Sequence, residues 1–153
     1  MEDQDCLTPT APVKLPDRLG DLLLLAIKEA KKYPVEQLNM YRWVEKKGDK
    51  CAVCLAGAVM MSLGPIKWTD NTNRAAPGGQ GYDNDTLEKM RAINILRTGS
   101  FWLKSRNDRK CNHLFHHQSV VDVAILPWTD DWAEHIKFAN ILNDQNLTIA
   151  DLA

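Results

Sequence analysis

The sequence lacks an excess of charge of either sign. Its 153 residues include 19 basic and 20 acidic residues, which gives a formal net charge of −1. This balance excludes a strongly acidic mimic of DNA, and it excludes a protein that binds nucleic acid through a globally basic surface. The sequence also contains no internal repeat and no low-complexity tract.

The sequence also lacks an apolar run long enough to cross a bilayer, which takes roughly 20 residues. The most uniform run, residues 51–63, has 13 residues, carries no charge and consists mainly of small apolar side chains. This length predicts a buried core helix, and small residues four positions apart would let another element approach its backbone closely. We therefore expect no contact with a membrane.

The start of the sequence also predicts no export signal, because the acidic residues Met-Glu-Asp-Gln-Asp are followed by no apolar segment. We therefore expect a cytoplasmic location, which is the host cytoplasm if the protein is viral. Cysteines stay reduced in that compartment, so the four cysteines of the chain predict no disulfide framework.

Length and composition predict one globular domain. With 44% hydrophobic and 25% charged residues, a chain of 153 residues can bury a core without metals or disulfides. Residues 1–13 contain proline, threonine and acids without an apolar period and are predicted to be disordered, so the domain spans residues 14–153. Its predicted fold is mainly α: a compact single-domain helical bundle around the helix of residues 51–63, with at most a minor extended hairpin near residues 39–50.

Residues 64–85 form the least regular segment and contain four glycines and two prolines. A connection of this length without structure of its own is uncommon in a compact domain, and where it occurs it tends to be functional or mobile. The sequence predicts a flexible loop here, because the glycine pattern is not that of a phosphate-binding loop.

A possible zinc site is the first candidate for chemistry. Cys51 and Cys54 are three positions apart, and Cys111 and His113 follow downstream, which gives the ligand types and number of a tetrahedral site. The apolar residues after Cys54 argue against it, because a thiolate there would have to be desolvated in the core. We therefore expect no metal and no other cofactor, with Cys51 and Cys54 as packed thiols; a bound zinc ion would use these four residues.

A cysteine nucleophile is the second candidate. A helix N-terminus lowers the pKa of a thiol, so Cys51 beside Lys50 could be activated, with His113, His116 or His117 as the base. The glycine and serine motifs of papain-like amidases do not surround Cys51, and nothing marks an oxyanion hole. A cysteine- or zinc-dependent hydrolase that uses Cys51 and the His113–His117 cluster remains the alternative to a non-enzymatic function.

Charge is unevenly distributed along the chain. Between Glu88 and Lys110, seven residues are basic and two are acidic, whereas five of the six charged residues from Asp130 onward are acidic. Such polarity favours an oriented encounter with a charged partner, or head-to-tail self-association into a homo-oligomer. With Phe101 and Trp102 available for stacking on bases, the basic segment also leaves open a DNA-associated regulatory domain.

Residues 15–63 resemble a family of small phage and prophage proteins. The resemblance lies in Leu15-Pro-Asp-Arg-Leu19, in Met40 with Trp43, and in Cys51-Ala-Val-Cys-Leu-Ala-Gly-Ala-Val-Met60. It implies a viral origin, and it assigns neither an activity nor catalytic residues. Small phage proteins without a catalytic motif often bind and block a host protein.

The leading hypothesis is a non-enzymatic phage accessory protein that binds a host or viral macromolecule and inhibits a host defence system. The partner is expected to be a host or phage protein, with nucleic acid as the alternative. We predict that the partner surface combines an aromatic anchor with a basic face and has the loop of residues 64–85 as its neighbour. The predicted contact residues are Trp68, Arg97, Lys104, Arg106 and Arg109.

Overall fold

A computed structural model describes residues 14–38, 42–48, 50–68, 73–98 and 132–152 of the chain. These residues form four α-helices: α1, Leu19–Ala30; α2, Leu55–Met61; α3, Asn84–Thr98; and α4, Ala133–Asp144. They also form three strands: β1, Val44–Lys47; β2, Lys50–Val53; and β3, Arg74–Ala75. Short 3-10 turns occupy Val35–Gln37, Pro77–Gln80 and Ile149–Asp151. The predicted disorder of residues 1–13 lies outside the described residues.

The three strands form an antiparallel sheet in the order β2-β1-β3. Val44 of β1 pairs with Val53 on one side and with Ala75 on the other. The fold is therefore mixed α/β, and the predicted mainly α helical bundle is wrong. The predicted minor hairpin near residues 39–50 is part of this sheet. No helix among the described residues is long and apolar enough to cross a membrane.

The sheet is hard to recognise in the sequence because neither β1 nor β2 alternates between polar and apolar residues. β1 is mostly polar, and three of the four residues of β2 are buried. A strand without an exposed face has the same continuous apolar pattern as a buried helix. The hairpin is instead fixed by its turn, where Gly48 has a φ of +60° next to the Lys47–Lys50 pair. Glycine adopts this left-handed conformation without steric cost.

The 13-residue apolar run divides into a strand and a helix at Cys54. β2 ends just before this residue, and Cys54 is the N-cap of α2, where its Sγ accepts a hydrogen bond from the N–H of Gly57 at 3.3 Å. A methyl group on the α-carbon of Gly57 would overlap with the carbonyl oxygen of Trp43. The close approach expected from small residues therefore occurs at one glycine, where the chain entering β1 crosses α2. All residues of α2 are buried.

Helices α1 and α4 come into close contact at Gly20. A methyl group on this glycine would overlap with the carbonyl oxygen of Ala139 and with the side chain of Asn143. The α-hydrogen of Gly20 thus points at two oxygen acceptors, as in the weak Cα–H···O contacts of closely packed helices. Asn143 also donates from Nδ2 to the carboxylate of Asp21 at 3.0 Å. These contacts hold the end of the described chain against α1.

The turn Ile149–Asp151 is fixed by hydrogen bonds on its N-terminal side. The N–H of Leu19 donates to the carbonyl of Leu147 at 2.9 Å. The N–H of Thr148 donates to Oδ2 of Asp151 at 2.8 Å, which forms a capping box. The turn contacts α3, so residues 149–152 lie beside one face of that helix.

Candidate binding groove

Cys51 and Cys54 both lie in the core, with exposed fractions of 0% and 1%. Cys54 is a thiol, whereas Cys51 is disulfide-bonded. The prediction that the cysteines are all reduced is therefore wrong for Cys51. Because a disulfide sulfur is neither a nucleophile nor a thiolate ligand, Cys51 in this state serves neither a hydrolase nor a zinc site.

The other members of the two hypothetical reactive sites, Cys111 and His113–His117, lie outside the described residues. Within the described ranges, no group of three or more His, Cys, Asp or Glu side chains is arranged to hold a metal ion. The sulfur of Cys54 interacts with the backbone of α2 as a helix cap. The described residues therefore do not assemble either reactive site.

Trp68, the predicted aromatic anchor, is half-buried and packs against the hydrophobic core. The segment that contains it has structure of its own, unlike the predicted flexible loop. Gln80 is buried, and its amide forms two hydrogen bonds with the backbone of Lys67, accepting from the N–H at 2.9 Å and donating to the carbonyl at 2.7 Å. This pair joins the residues before Trp68 to the turn Pro77–Gln80, and β3 lies between them.

The predicted basic face lies almost entirely outside the described residues. Arg97 belongs to the last turn of α3, but its side chain is not among those described, and the same holds for the whole of Lys104, Arg106 and Arg109. Their role in binding stays a prediction.

Lys89, which contributes to the basic count of the same segment, does not belong to an exposed face. Its side chain is 9% exposed, and its ammonium group lies 2.9 Å from Asp17 and 3.1 Å from Asp85. It also donates to the carbonyl oxygen of Leu15 at 3.1 Å. The hydrogen bond with Asp17 raises the pKa of Lys89 despite the opposing effect of burial. Lys89 therefore stays charged and ties α3 to the residues before α1.

A groove of about 430 Å³ lies between α3 and residues 149–152. Its walls combine charged and apolar side chains: Glu88, Arg91, Ala92, Ile95, Ile149, Ala150 and Leu152. The two charged residues are exposed, whereas Ala92 and Leu152 are buried. The groove thus has an apolar floor and a charged rim on the side of α3, and its volume falls in the usual range of ligand-binding sites.

The two rim charges are not engaged by the described part of the fold. Neither Glu88 nor Arg91 forms an ion pair with another residue of the described ranges. They are three positions apart on α3, so one turn of the helix presents an acid and a base on the same side. This differs from Lys89, Arg18 and Arg74, which form ion pairs with carboxylates of the fold.

No protein-family model matches the sequence, and no curated protein or solved structure matches it. A family is therefore not shown. The observations that bear on function are the groove and the structural contacts of the described cysteine and histidine side chains.

One wall of the groove, the face of α3, has a recognisable pattern in the sequence. Glu88, Arg91 and Ile95 recur at intervals of three and four, which places them on one helix face. An isolated helix with this mixed face is usually solvated. The second wall comes from Ile149 and Leu152, and nothing in the sequence pattern says that this remote turn faces α3.

Proposed function

We propose that the protein is a non-enzymatic phage accessory protein that binds a host or phage protein and inhibits a host defence system by occupying that partner. The groove between α3 and residues 149–152 is the proposed contact surface. The phage origin rests on the resemblance of residues 15–63, and the binding function rests on the groove.

The observation that carries the proposal is the pair Glu88 and Arg91, which forms no ion pair with the described residues and lies at the edge of the groove. A concave site that combines apolar walls with a few charged groups is the usual form of a binding site. Two side chains with reactive potential in the described ranges have structural roles instead. Cys54 caps α2, and the buried ring of His135 lies edge-on to Trp132 with centroids 5.1 Å apart.

The proposal is tested by affinity capture with the intact, tagged protein from bacterial cells, with and without phage infection. Ala150 is exposed and lines the groove, so Ala150→Trp should fill the groove without disturbing the core. We expect this variant to retain less than about one tenth of the captured partner, because the indole would fill the space that a bound side chain needs and the loss of a hot-spot contact weakens binding by about 2 kcal/mol or more.

Ala133→Trp is the matched control, since Ala133 is also exposed but does not line the groove. It should capture the partner as well as the wild type does. A quadruple change of Arg97, Lys104, Arg106 and Arg109 to Glu tests the basic segment independently. If no protein is captured by the wild type above the level of an unrelated tagged protein, the proposed binding function is wrong. If only the quadruple variant loses the partner, the groove is not the contact surface.

A further inference from the structure

We infer that the groove recognises an amphipathic helical segment of the partner, with an apolar anchor in the groove, a basic side chain facing Glu88 and an acidic side chain facing Arg91. This inference rests on the proposed binding function and adds the chemistry of the bound segment to it.

The α3 wall is long enough for a helix of about two turns. Glu88 and Ile95 are seven positions apart, which corresponds to roughly 10 Å along the helix axis at 1.5 Å per residue. A helix that binds in a groove uses anchors at positions i, i+3 or i+4, and i+7. The wall therefore offers the partner one acidic, one basic and one apolar position, about one turn apart.

The order of charges fixes the order expected in the partner. Along α3 the acid comes first, the base follows three positions later, and the exposed part of Ile95 comes one turn after the base. The opposite wall is apolar, being formed by Ile149, Ala150 and Leu152. Complementary charges across a contact select the partner and its orientation more than they raise affinity. A bound helix should thus present Lys or Arg one turn away from Asp or Glu, next to a large apolar residue.

The test is selection from a displayed library of helical peptides with the intact protein as the target. In this library one apolar position is fixed, and the positions one and two turns away from it on each side vary among Lys, Glu and Ala. Peptides selected on the wild type are then measured against Ala150→Trp, against the control Ala133→Trp, and against the double swap Glu88→Arg/Arg91→Glu. The swap leaves the net charge unchanged, so it alters only the order of the rim charges.

We expect Ala150→Trp to weaken the selected peptides at least about tenfold and Ala133→Trp to leave them unchanged. The swap should weaken the same peptides by roughly tenfold, because two attractive contacts become repulsive. Peptides with the reverse order of charges should bind the swap variant better than the wild type. This exchange of preference is specific to charge recognition, since damage to the fold would weaken all peptides alike.

Three outcomes would overturn the inference. Peptides that bind Ala150→Trp as well as the wild type contact another surface, and a charge order that is unaffected by the swap means that the rim does not select. A dimer in sedimentation that Ala150→Trp converts to a monomer means that a second copy of the chain fills the groove. The proposed function has its own separate failure, which is the absence of any captured protein, so failure of peptide selection alone leaves that proposal standing.

Discussion

The hydroxyl of Tyr33 lies in the core and has no hydrogen-bond partner among the described residues. Burial, with a smaller contribution from the negative charge of Glu29, raises the pKa of Tyr33 well above its usual range. We expect Tyr33→Phe to raise the free energy of unfolding by about 1 kcal/mol, because a buried polar group without a partner destabilises a fold by about that much. Urea denaturation of the two proteins measures the difference. A loss of stability would mean that the hydroxyl is bonded to buried water.

The thiol of Cys54 caps α2, and this role predicts different stabilities for Cys54→Ser and Cys54→Ala. A serine at this position retains an acceptor for the N–H of Gly57, whereas an alanine does not. Because Ser is far better than Ala at the N-cap, Cys54→Ala should lower the free energy of unfolding by about 0.5–2 kcal/mol relative to Cys54→Ser. Equal stability of the two variants in denaturant would show that the sulfur contributes nothing as a cap.

Since Cys54 is 1% exposed, a thiol reagent should label it in the native protein only slowly.

At the scale of the elements, the crossing of α2 by the chain entering β1 depends on Gly57. Gly57→Ala would push the carbonyl of Trp43 away from the helix, and that carbonyl also accepts from the N–H of Cys54 at 3.3 Å. We expect a loss of at least about 3 kcal/mol, as for severe overpacking of a core. Thermal or chemical denaturation measures this loss.

Gly78→Ala is the control for the same change of residue. A β-carbon at Gly78 would have no heavy atom within 4 Å, so this variant should stay within about 0.5 kcal/mol of the wild type. If Gly57→Ala is equally mild, α2 and the start of β1 have room to move apart, and the close approach is not required by the fold.

The ion pairs of Lys89 join α3 to the residues that precede α1, and the lysine side chain is much more buried than its two carboxylate partners. The lysine side chain is 9% exposed, whereas those of Asp17 and Asp85 are 87% and 70% exposed. Removing the buried charge with Lys89→Met leaves two solvated carboxylates. Removing the carboxylates with Asp17→Asn/Asp85→Asn leaves a buried ammonium with weaker acceptors. We therefore expect the double variant to be less stable in urea at pH 7 than Lys89→Met. The reverse order would contradict this account.

The same pairs predict how stability depends on pH. The folded pKa of Lys89 is raised above its ordinary value of 10.5, so its contribution is complete below that pH and is lost as the pH rises through the folded value. The pKa of Asp17, paired with Lys89, is lowered below 3.8, so its contribution is lost as the pH falls through the folded value. The stability difference between wild type and Lys89→Met should be constant from about pH 5 to about pH 9 and should shrink outside that interval. A difference that changes near pH 7 would point to another group.

At the scale of the whole molecule, the sequence predicts the long helices better than it predicts the fold. In α3, Leu87, Met90, Ile93 and Leu96 recur at helical spacing and predict its inner face; the last three are buried, and Leu87 is partly buried. The sheet is not predictable in this way, because β1 is polar and β2 continues into α2 as one apolar run. Where periodicity is absent, the structure depends on a turn at Gly48 and a cap at Cys54, which single residues determine.

The candidate site is predictable only in part, for a related reason. The face with Glu88 and Arg91 follows from helical spacing within one element. The groove needs a second wall, and the position of Ile149 depends on the hydrogen bond between Leu19 and Leu147. Contacts between residues so distant in sequence are decided by packing of the whole chain, which a local pattern does not contain.

Because α1 packs on α4, this contact cannot form during synthesis until the ribosome has added α4. Asp21 and Asn143, which are hydrogen-bonded in the folded protein, are 122 positions apart. At roughly 5–20 residues per second, the ribosome needs on the order of 10 s to add the intervening chain. For that time, the part of α1 that α4 later covers remains exposed on the nascent chain. Capture by chaperones and aggregation of nascent chains then compete with folding at this helix.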